Sequence, residues 1–305
     1  MASAALARKP TISRRQLRGW MTGYLFVSPV ILGLLIFTLG PMIMSLYYSF
    51  TKYNLLSSPH WIGLGNYRRV LDDREFLTSL RVTFRYALVS VPLGLILSGL
   101  LALLLHRPLR GMSLFRALFY IPVIVPPVAA AILFADLYNV RYGIANRILR
   151  GIGLHGYSWI TRPETALNAL VVMSFWSIGG GTIVWLAGLQ GIPRSLYEAA
   201  EIDGAGGLRR FWNITIPMMT PIIFFNLVLG VIGSLQVFTQ ALVMTNGGPA
   251  NSTLFVALKI YREGFQHFNM GYAATIAWVL FLIISALTAL IFKTSGWVYY
   301  EGAQR

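Results

Sequence analysis

Six stretches of this 305-residue chain contain no Asp, Glu, Lys or Arg: Gly19–Thr51, Tyr86–Leu105, Ala117–Ala135, Thr165–Pro193, Phe211–Leu258 and Gly264–Phe292. They run for 33, 20, 19, 29, 48 and 29 residues, so the 25 basic and 10 acidic side chains are confined to the remainder. A helix that crosses a bilayer needs about 20 mostly apolar residues, and a charge at its centre costs roughly 2.5–3.5 kcal/mol. The pattern meets that requirement six times and predicts an all-α integral membrane protein. Apolar runs of this length do not alternate as a transmembrane strand must. With 11% charged residues, against about 25% in a soluble domain, the chain has too few charges to wet a soluble surface.

The expected spans are Tyr24–Tyr48, Tyr86–Leu105, Phe115–Phe134, Ala166–Gly188, Pro221–Leu242 and Ala273–Phe292. The longest stretch could hold two helices, but its second half carries the turn-rich run Thr245–Thr253, which reads as a loop. Arg8, Lys9, Arg14, Arg15 and Arg18 precede the first span and argue for a cytoplasmic N-terminus, and six spans then return the C-terminus to the same side. The short second loop, with Arg107, Arg110 and Arg116, agrees, although alternate assignment of all Lys and Arg gives 13 inside and 12 outside. The N-terminal segment does not read as a cleaved signal peptide, because the apolar run is too long and lacks a small-x-small site. The expected organisation is a basic cytoplasmic tail over residues 1–20, a transmembrane domain over 21–293 and a cytoplasmic tail over 294–305, in a multi-pass protein of the cell membrane.

Several chemistries lack their residues. There is no P-loop for ATP. Gly151-Ile152-Gly153-Leu154-His155-Gly156 spells GxGxxG, but no strand precedes it and no acidic residue stands at the ribose position, so it reads as a flexible loop. His60, His106, His155 and His267 lack metal-ligand spacing, and with no cysteine there is no thiolate site either. No catalytic and no metal site is expected on the chain. No span carries a central charge, which disfavours proton relay and voltage sensing; Asp136 and Arg85 sit at span edges. The net charge of +15 is dispersed over loops on both faces, unlike the single basic face of a nucleic-acid binder. The outer basic excess suits an anionic solute such as a sugar phosphate, and equally acidic lipids or a partner's surface.

Between spans four and five lies a segment read as two short helices with a break. Leu196, Ala199, Ala200 and Asp203 follow helical spacing. Gly204 stands where a left-handed residue would end the helix, and Leu208 to Ile216 resumes until Pro217. Glu198, Glu201 and Asp203 lie on one arm, Arg209 and Arg210 on the other. Such a knob can dock into a cleft of another protein, or lie on the membrane as an amphipathic connector.

Glu198-Ala199-Ala200, Asp203-Gly204-Ala205, Phe211, Ile214, Pro217 and Pro221 resemble the EAA loop of ATP-binding-cassette importer permeases. Ile216, where Leu is usual, and the Gly206-Gly207 pair depart from that pattern. Ser28-Pro29, Ser49-Phe50-Thr51, Gly63-Leu64-Gly65-Asn66-Tyr67, Tyr120-Ile121-Pro122, Leu235-Gln236-Val237-Phe238 and Thr245-Asn246-Gly247-Gly248-Pro249 are similar to the carbohydrate-importing branch, and to its maltose-type or glycerol-phosphate-type first permease. The resemblance implies the type I importer permease fold, with residues 193–217 coupling the chain to a cytoplasmic ATPase through Glu198, Ala199, Ala200, Asp203, Gly204, Ala205, Phe211 and Pro217. It also implies a second permease, two ATPase subunits that bind ATP and Mg, and an external solute-binding protein that delivers a carbohydrate.

For the solute path, span four offers Ser174, Trp176, Ser177 and Gly179-Gly180-Gly181, and span five offers Asn226, Ser234, Gln236, Thr239 and Gln240. Ser174, Ser177 and Gly181 share one helical face. The resemblance places Ser177, Gly180, Gly230 and Ser234 at the family's solute site. Small residues also simply let helices pack closely, and Gln236, costly in hydrocarbon unless paired, could pair with another helix. Two further classes remain: a stand-alone secondary transporter or channel, and a membrane enzyme, for which no clustered polar set is visible.

Overall fold

The computed structural model describes residues 14–299, so the terminal tails, including Arg8 and Lys9 of the basic cluster, lie outside the described residues. The elements in chain order are α1 Arg14–Leu34, α2 Gly40–Ser49, a two-residue hairpin of β1 Thr51–Lys52 and β2 His60–Trp61, α3 Gly65–Asp72, α4 Arg74–Leu105, α5 Met112–Ile124, α6 Pro127–Leu137, α7 Ile144–Gly151, α8 Pro163–Ser174, α9 Gly179–Gly191, α10 Arg194–Ile202, α11 Gly207–Arg210, α12 Ile216–Leu235, α13 Val256–Tyr261 and α14 Met270–Lys293. Four continuous helical segments are long and apolar enough to cross a membrane: Gly19–Ser49, Arg74–Leu105, Gly207–Leu235 and Met270–Trp297. Two bent pairs, α5 with α6 and Pro163–Ser177 with α9, bring the crossings to six when each pair counts as one.

The bends correct the straight third and fourth spans. At the third, the helices turn by 96° at Val125-Pro126. Proline disfavours the helical region for the residue before it, and Val125 is extended at φ −66°, ψ 127°. The fourth bends by 46° after a tight turn over Phe175–Ser177. There the glycines let α9 approach α5, because a Cβ on Gly179 would run into the backbone carbonyl of Phe119.

The expected limits also shift, since a charge map marks apolar stretches rather than helices. The second span does not start at Tyr86. The helix runs from Arg74, where the Asp73 carboxylate accepts from the N–H of Glu75 and Phe76 at 2.8 and 3.1 Å and caps the first turn. It is 32 residues long, or about 48 Å, so its charged first turns stand beyond the hydrocarbon. The fifth span starts earlier and ends earlier than Pro221–Leu242. Pro217 does not end the second arm of the knob: a wide π-helical turn over Phe211–Thr215 leads through Ile216-Pro217 into α12 without a break. Beyond Leu235 the apolar residues Val237 and Ala241 are buried in a protein core with Phe134, Leu170 and Leu254 rather than facing lipid.

Three packed clusters succeed one another along the molecule. One joins α4, α6, α8 and the Leu254–Leu258 segment, one joins α3, α4 and α14, and one joins Ala102, Leu105, Trp185, Leu189 and Met219. The first span is the exception. Its most apolar window has no buried residue, and it touches the rest mainly where α2 packs on α14. The GxGxxG segment closes α7 and continues as loop, with Gly153 at φ 81°.

Candidate functional site

Three features stand out, one at each end of α4 and one along its length. At the Leu105 end sits the knob. α10 starts after Pro193, which holds the extended conformation at φ −59°, ψ 130°. It stops at Gly204, whose φ of 72° is open to glycine at no steric cost. The N–H of Ala205 donates to the Ala200 carbonyl at 2.8 Å and that of Gly204 to Glu201 at 3.0 Å, the paired closure of a Schellman turn. The returning arm is tied back by the Tyr197 and Thr215 hydroxyls at 2.9 Å and by Arg210 to Glu201 at 3.3 Å. Tyr197 and Ile214 also pack on the cluster that holds Leu105. The knob is therefore anchored at its base and bare at its tip.

Glu198, Ala199, Asp203 and Gly204 are exposed, Ala200, Ala205, Phe211 and Pro217 half-buried. Neither Glu198 nor Asp203 has an ion-pair partner among the described residues. Sequence reasoning passed over the apolar side of the tip: Ile202 is 87% and Leu208 74% exposed. Both stand on the same loop as Glu198 and Asp203, so the tip carries exposed apolar and acidic side chains together.

Along α4 runs a cleft of about 320 Å³, lined by faces of α4, the bent fourth span and α12. Of the residues singled out for the solute path, Ser174, Ser177, Gly230, Ser234 and Gln240 line it, with Gly181 and Asn226 at one end. Three do not. Trp176 is turned outward against Phe134, ring centroids 5.7 Å apart. Gly180 faces Val123 of α5. Gln236 lies just past the end of α12 and is exposed. The polar wall from the second span was overlooked: Tyr86, Ser90, Gly94 and Ser98 all line the cleft. Their spacing of four puts them on one helical face, a signal present in the sequence.

At the Arg74 end, Lys259 of α13 is 2% exposed and is ringed by Glu75, Asp73 and Glu263 at 2.9, 3.0 and 3.4 Å. The Tyr272 hydroxyl donates to Asp73 at 2.6 Å, Asn269 donates to Glu263 at 3.1 Å, and the Arg69 guanidinium lies 3.9 Å over the Tyr272 ring. Burial opposes the charge on Asp73, yet bonds from Tyr272, the Phe76 N–H and Lys259 hold its carboxyl below the usual range. Burial likewise opposes the charge on Lys259, and Glu75 and Asp73 outweigh it, so its ammonium titrates above the ordinary lysine value. The cluster clamps the segment before the second span to that before the sixth. No group of His, Asp and Glu among the described residues has the arrangement of a metal site.

A family profile described as binding-protein-dependent transport system inner membrane component matches residues 90–295. The chain is 41% identical over 290 residues to a probable ABC transporter permease, YesP of Bacillus subtilis, covering 93% of this chain and 94% of that protein. It is 34% identical over 286 residues to the trehalose/maltose transport system permease MalF of Thermococcus litoralis, covering 92% and 96%. Among solved structures, a bacterial alginate ABC transporter in complex with an alginate pentasaccharide-bound periplasmic protein contains a chain that superposes with a TM-score of 0.83 at 24% identity, over 93% of this chain and 96% of that one.

Proposed function

Because the chain belongs to the family of binding-protein-dependent transport system inner membrane components, we propose that it is the membrane-spanning permease of an ATP-driven importer for a sugar or sugar derivative. The observation that carries this reading is the knob: a rigidly closed helical turn, fixed at its base to the helix bundle, with Glu198, Asp203, Ile202 and Leu208 bare at its tip. A surface of this kind transmits force only if something seats on it. With no nucleotide-binding motif of its own, the chain needs a separate ATPase subunit there, which would hold ATP and Mg. A second permease would close the open side of the cleft, and an external binding protein would deliver the solute near the Lys259 cluster.

In this reading, closure of the ATPase dimer pulls on α10. Because the returning arm is continuous with α12, and α12 walls the cleft, the pull reaches Gly230 and Ser234 without passing through a flexible joint. The relative named for trehalose and maltose, and a cleft with hydroxyl and amide groups but no charged side chain of this chain, support a carbohydrate as cargo. The test is Glu198→Lys in the assembled transporter. Uptake falls by more than about tenfold, the loss of one charge-assisted contact or more, while ATP hydrolysis continues. Uptake at the wild-type rate would overturn the assignment of the knob.

A further inference from the structure

Helix α7 lies between the third and fourth spans and the knob between the fourth and fifth, so the two stand on opposite sides of the bilayer when each bent pair is one crossing. α7 is held rigidly. Asn146, fully buried on its inner side, accepts from the Tyr157 N–H at 2.7 Å and from the Trp159 indole at 3.1 Å, and donates to the Tyr157 carbonyl at 2.9 Å. Trp159 stacks on Tyr138 at the end of α6, ring centroids 5.3 Å apart, and the Tyr138 hydroxyl donates to the Ala169 carbonyl of α8 at 3.2 Å. Gly153 turns left-handed at φ 81°, and the N–H groups of Gly153 and Leu154 close on the Arg150 and Leu149 carbonyls at 3.1 and 2.9 Å. That is a Schellman stop, and it accounts for the middle glycine of the GxGxxG segment without a nucleotide.

The outer side of this fixed helix is divided by chemistry. Ile144, Ile148 and Ile152 succeed one another at one-turn spacing and are 59, 61 and 68% exposed. Ile148 lies about 40° around the helix from Ile144 in one sense, and Arg147 and Arg150 lie about 60° and 120° from it in the other. Both arginines are exposed, Arg150 donating to the Arg141 carbonyl at 3.1 Å, and α7 carries no acidic residue. Removing such a side chain from water is worth about 1.5–3 kcal/mol, yet Asn146 prevents the helix from rolling its isoleucines inward. An apolar edge bordered by arginines suits a helix lying in the membrane interface, with its apolar side among acyl chains and its guanidinium groups at the lipid phosphates. Tyr142 and Tyr157, both exposed, flank it as aromatic residues do at headgroup level. We infer that α7 is an interfacial anchor that seats Ile144, Ile148 and Ile152 in the lipid leaflet opposite the knob, with Arg147 and Arg150 on lipid phosphates. A soluble partner that comes and goes would leave these isoleucines wet between visits, whereas lipid covers them throughout. Through Asn146, Trp159 and Tyr138 the anchor sets the depth at which the third and fourth spans meet the surface. It depends on no property of the solute.

The test uses the assembled transporter in nanodiscs of phosphatidylcholine and phosphatidylglycerol, its other subunits made cysteine-free. This chain has no cysteine, so Ile144→Cys, Ile148→Cys and Arg147→Cys each provide one site for a bimane label. Its fluorescence is read against a nitroxide carried near the top of the lipid acyl chain and against aqueous iodide. At Ile144 and Ile148 the nitroxide is expected to quench and iodide to fail, with and without the external binding protein, whereas at the neighbouring Arg147 iodide quenching returns. Iodide quenching at both isoleucine positions without nitroxide quenching would overturn the anchor. So would protection from both quenchers that appears only when the binding protein is added, which gives the face to that protein. Neither result touches the assignment of the knob. Arg147→Gln with Arg150→Gln should lower the nitroxide quenching at Ile148, and unchanged quenching would remove the arginines from the lipid contact. Using two isoleucine positions keeps the test decisive if one variant fails to assemble.

Discussion

Replacing Lys259 by methionine removes the cation from the centre of three carboxylates while keeping the volume of its stem. The structure sets the size of the effect. Lys259 is 2% exposed and Glu263 7%, whereas the Asp73 and Glu75 side chains are 17% and 45% exposed. Breaking a buried pair by removing one partner costs about 3–5 kcal/mol. Glu75 can turn to water, and Tyr272 still supports Asp73, so the lower end, about 3 kcal/mol, applies. The sign with pH follows from the two shifts. Asp73, held below its ordinary value, contributes stability that is present at neutral pH and lost as pH falls through its folded pKa. Lys259, held above its ordinary value, contributes stability that is lost only as pH rises through its folded pKa. The wild type therefore has a plateau from about pH 5 to about pH 10. In Lys259→Met the stranded carboxylates favour protonation, so the deficit is full at pH 7 and narrows on acidification toward pH 4. Thermal unfolding of the detergent-purified transporter reads this as a drop on the order of 5–10 °C at pH 7, with partial rescue by Asp73→Asn in the same chain. A pH-independent deficit, or one under about 1 kcal/mol, would refute the claim that Lys259 neutralises this cluster.

Two further outcomes follow from the geometry. Gly204→Val places a β-branched residue at φ 72°, which costs on the order of 1–3 kcal/mol locally. Opening of the Schellman turn should abolish uptake while membrane abundance and ATP hydrolysis persist, and Gly204→Asn, which tolerates that conformation, should retain most uptake. Gly181→Val puts branched bulk against Asn226 and Ser98, which a single Cβ would already touch at 3.4–3.5 Å; sugar uptake should fall at least about tenfold, whereas Trp176→Ala, outside the cleft, leaves it near wild type.

The membrane class and the approximate places of the four long apolar helices and the two bent pairs could be read from the charge-free stretches, because lipid penalises charge strongly enough to leave a clear mark. The helix ends could not. Charge is tolerated on a helix that projects beyond the bilayer, as at Arg74–Arg85, and apolar residues such as Val237 and Ala241 serve a protein core equally well. The bend at Val125-Pro126 had a local signal in the proline pair, but its angle depends on packing against α9. The Lys259 cluster is invisible along the chain, since its bonded members are up to 199 residues apart and each of its charged residues reads as an ordinary loop charge. In the knob, Gly204 was legible from spacing alone, while the exposure of Ile202 and Leu208 required knowing which side the bundle covers.

The central claim, that the α10 turn is where a separate ATPase seats, can be measured directly. The chain has no cysteine, so Ile202→Cys provides a single reactive thiol at the tip of the knob. In native membranes a short thiol-to-amine cross-linker at that position should capture a cytoplasmic nucleotide-binding subunit, with a yield that changes when ATP is added. Capture of no nucleotide-binding subunit, at a thiol shown to be reactive, would contradict the account.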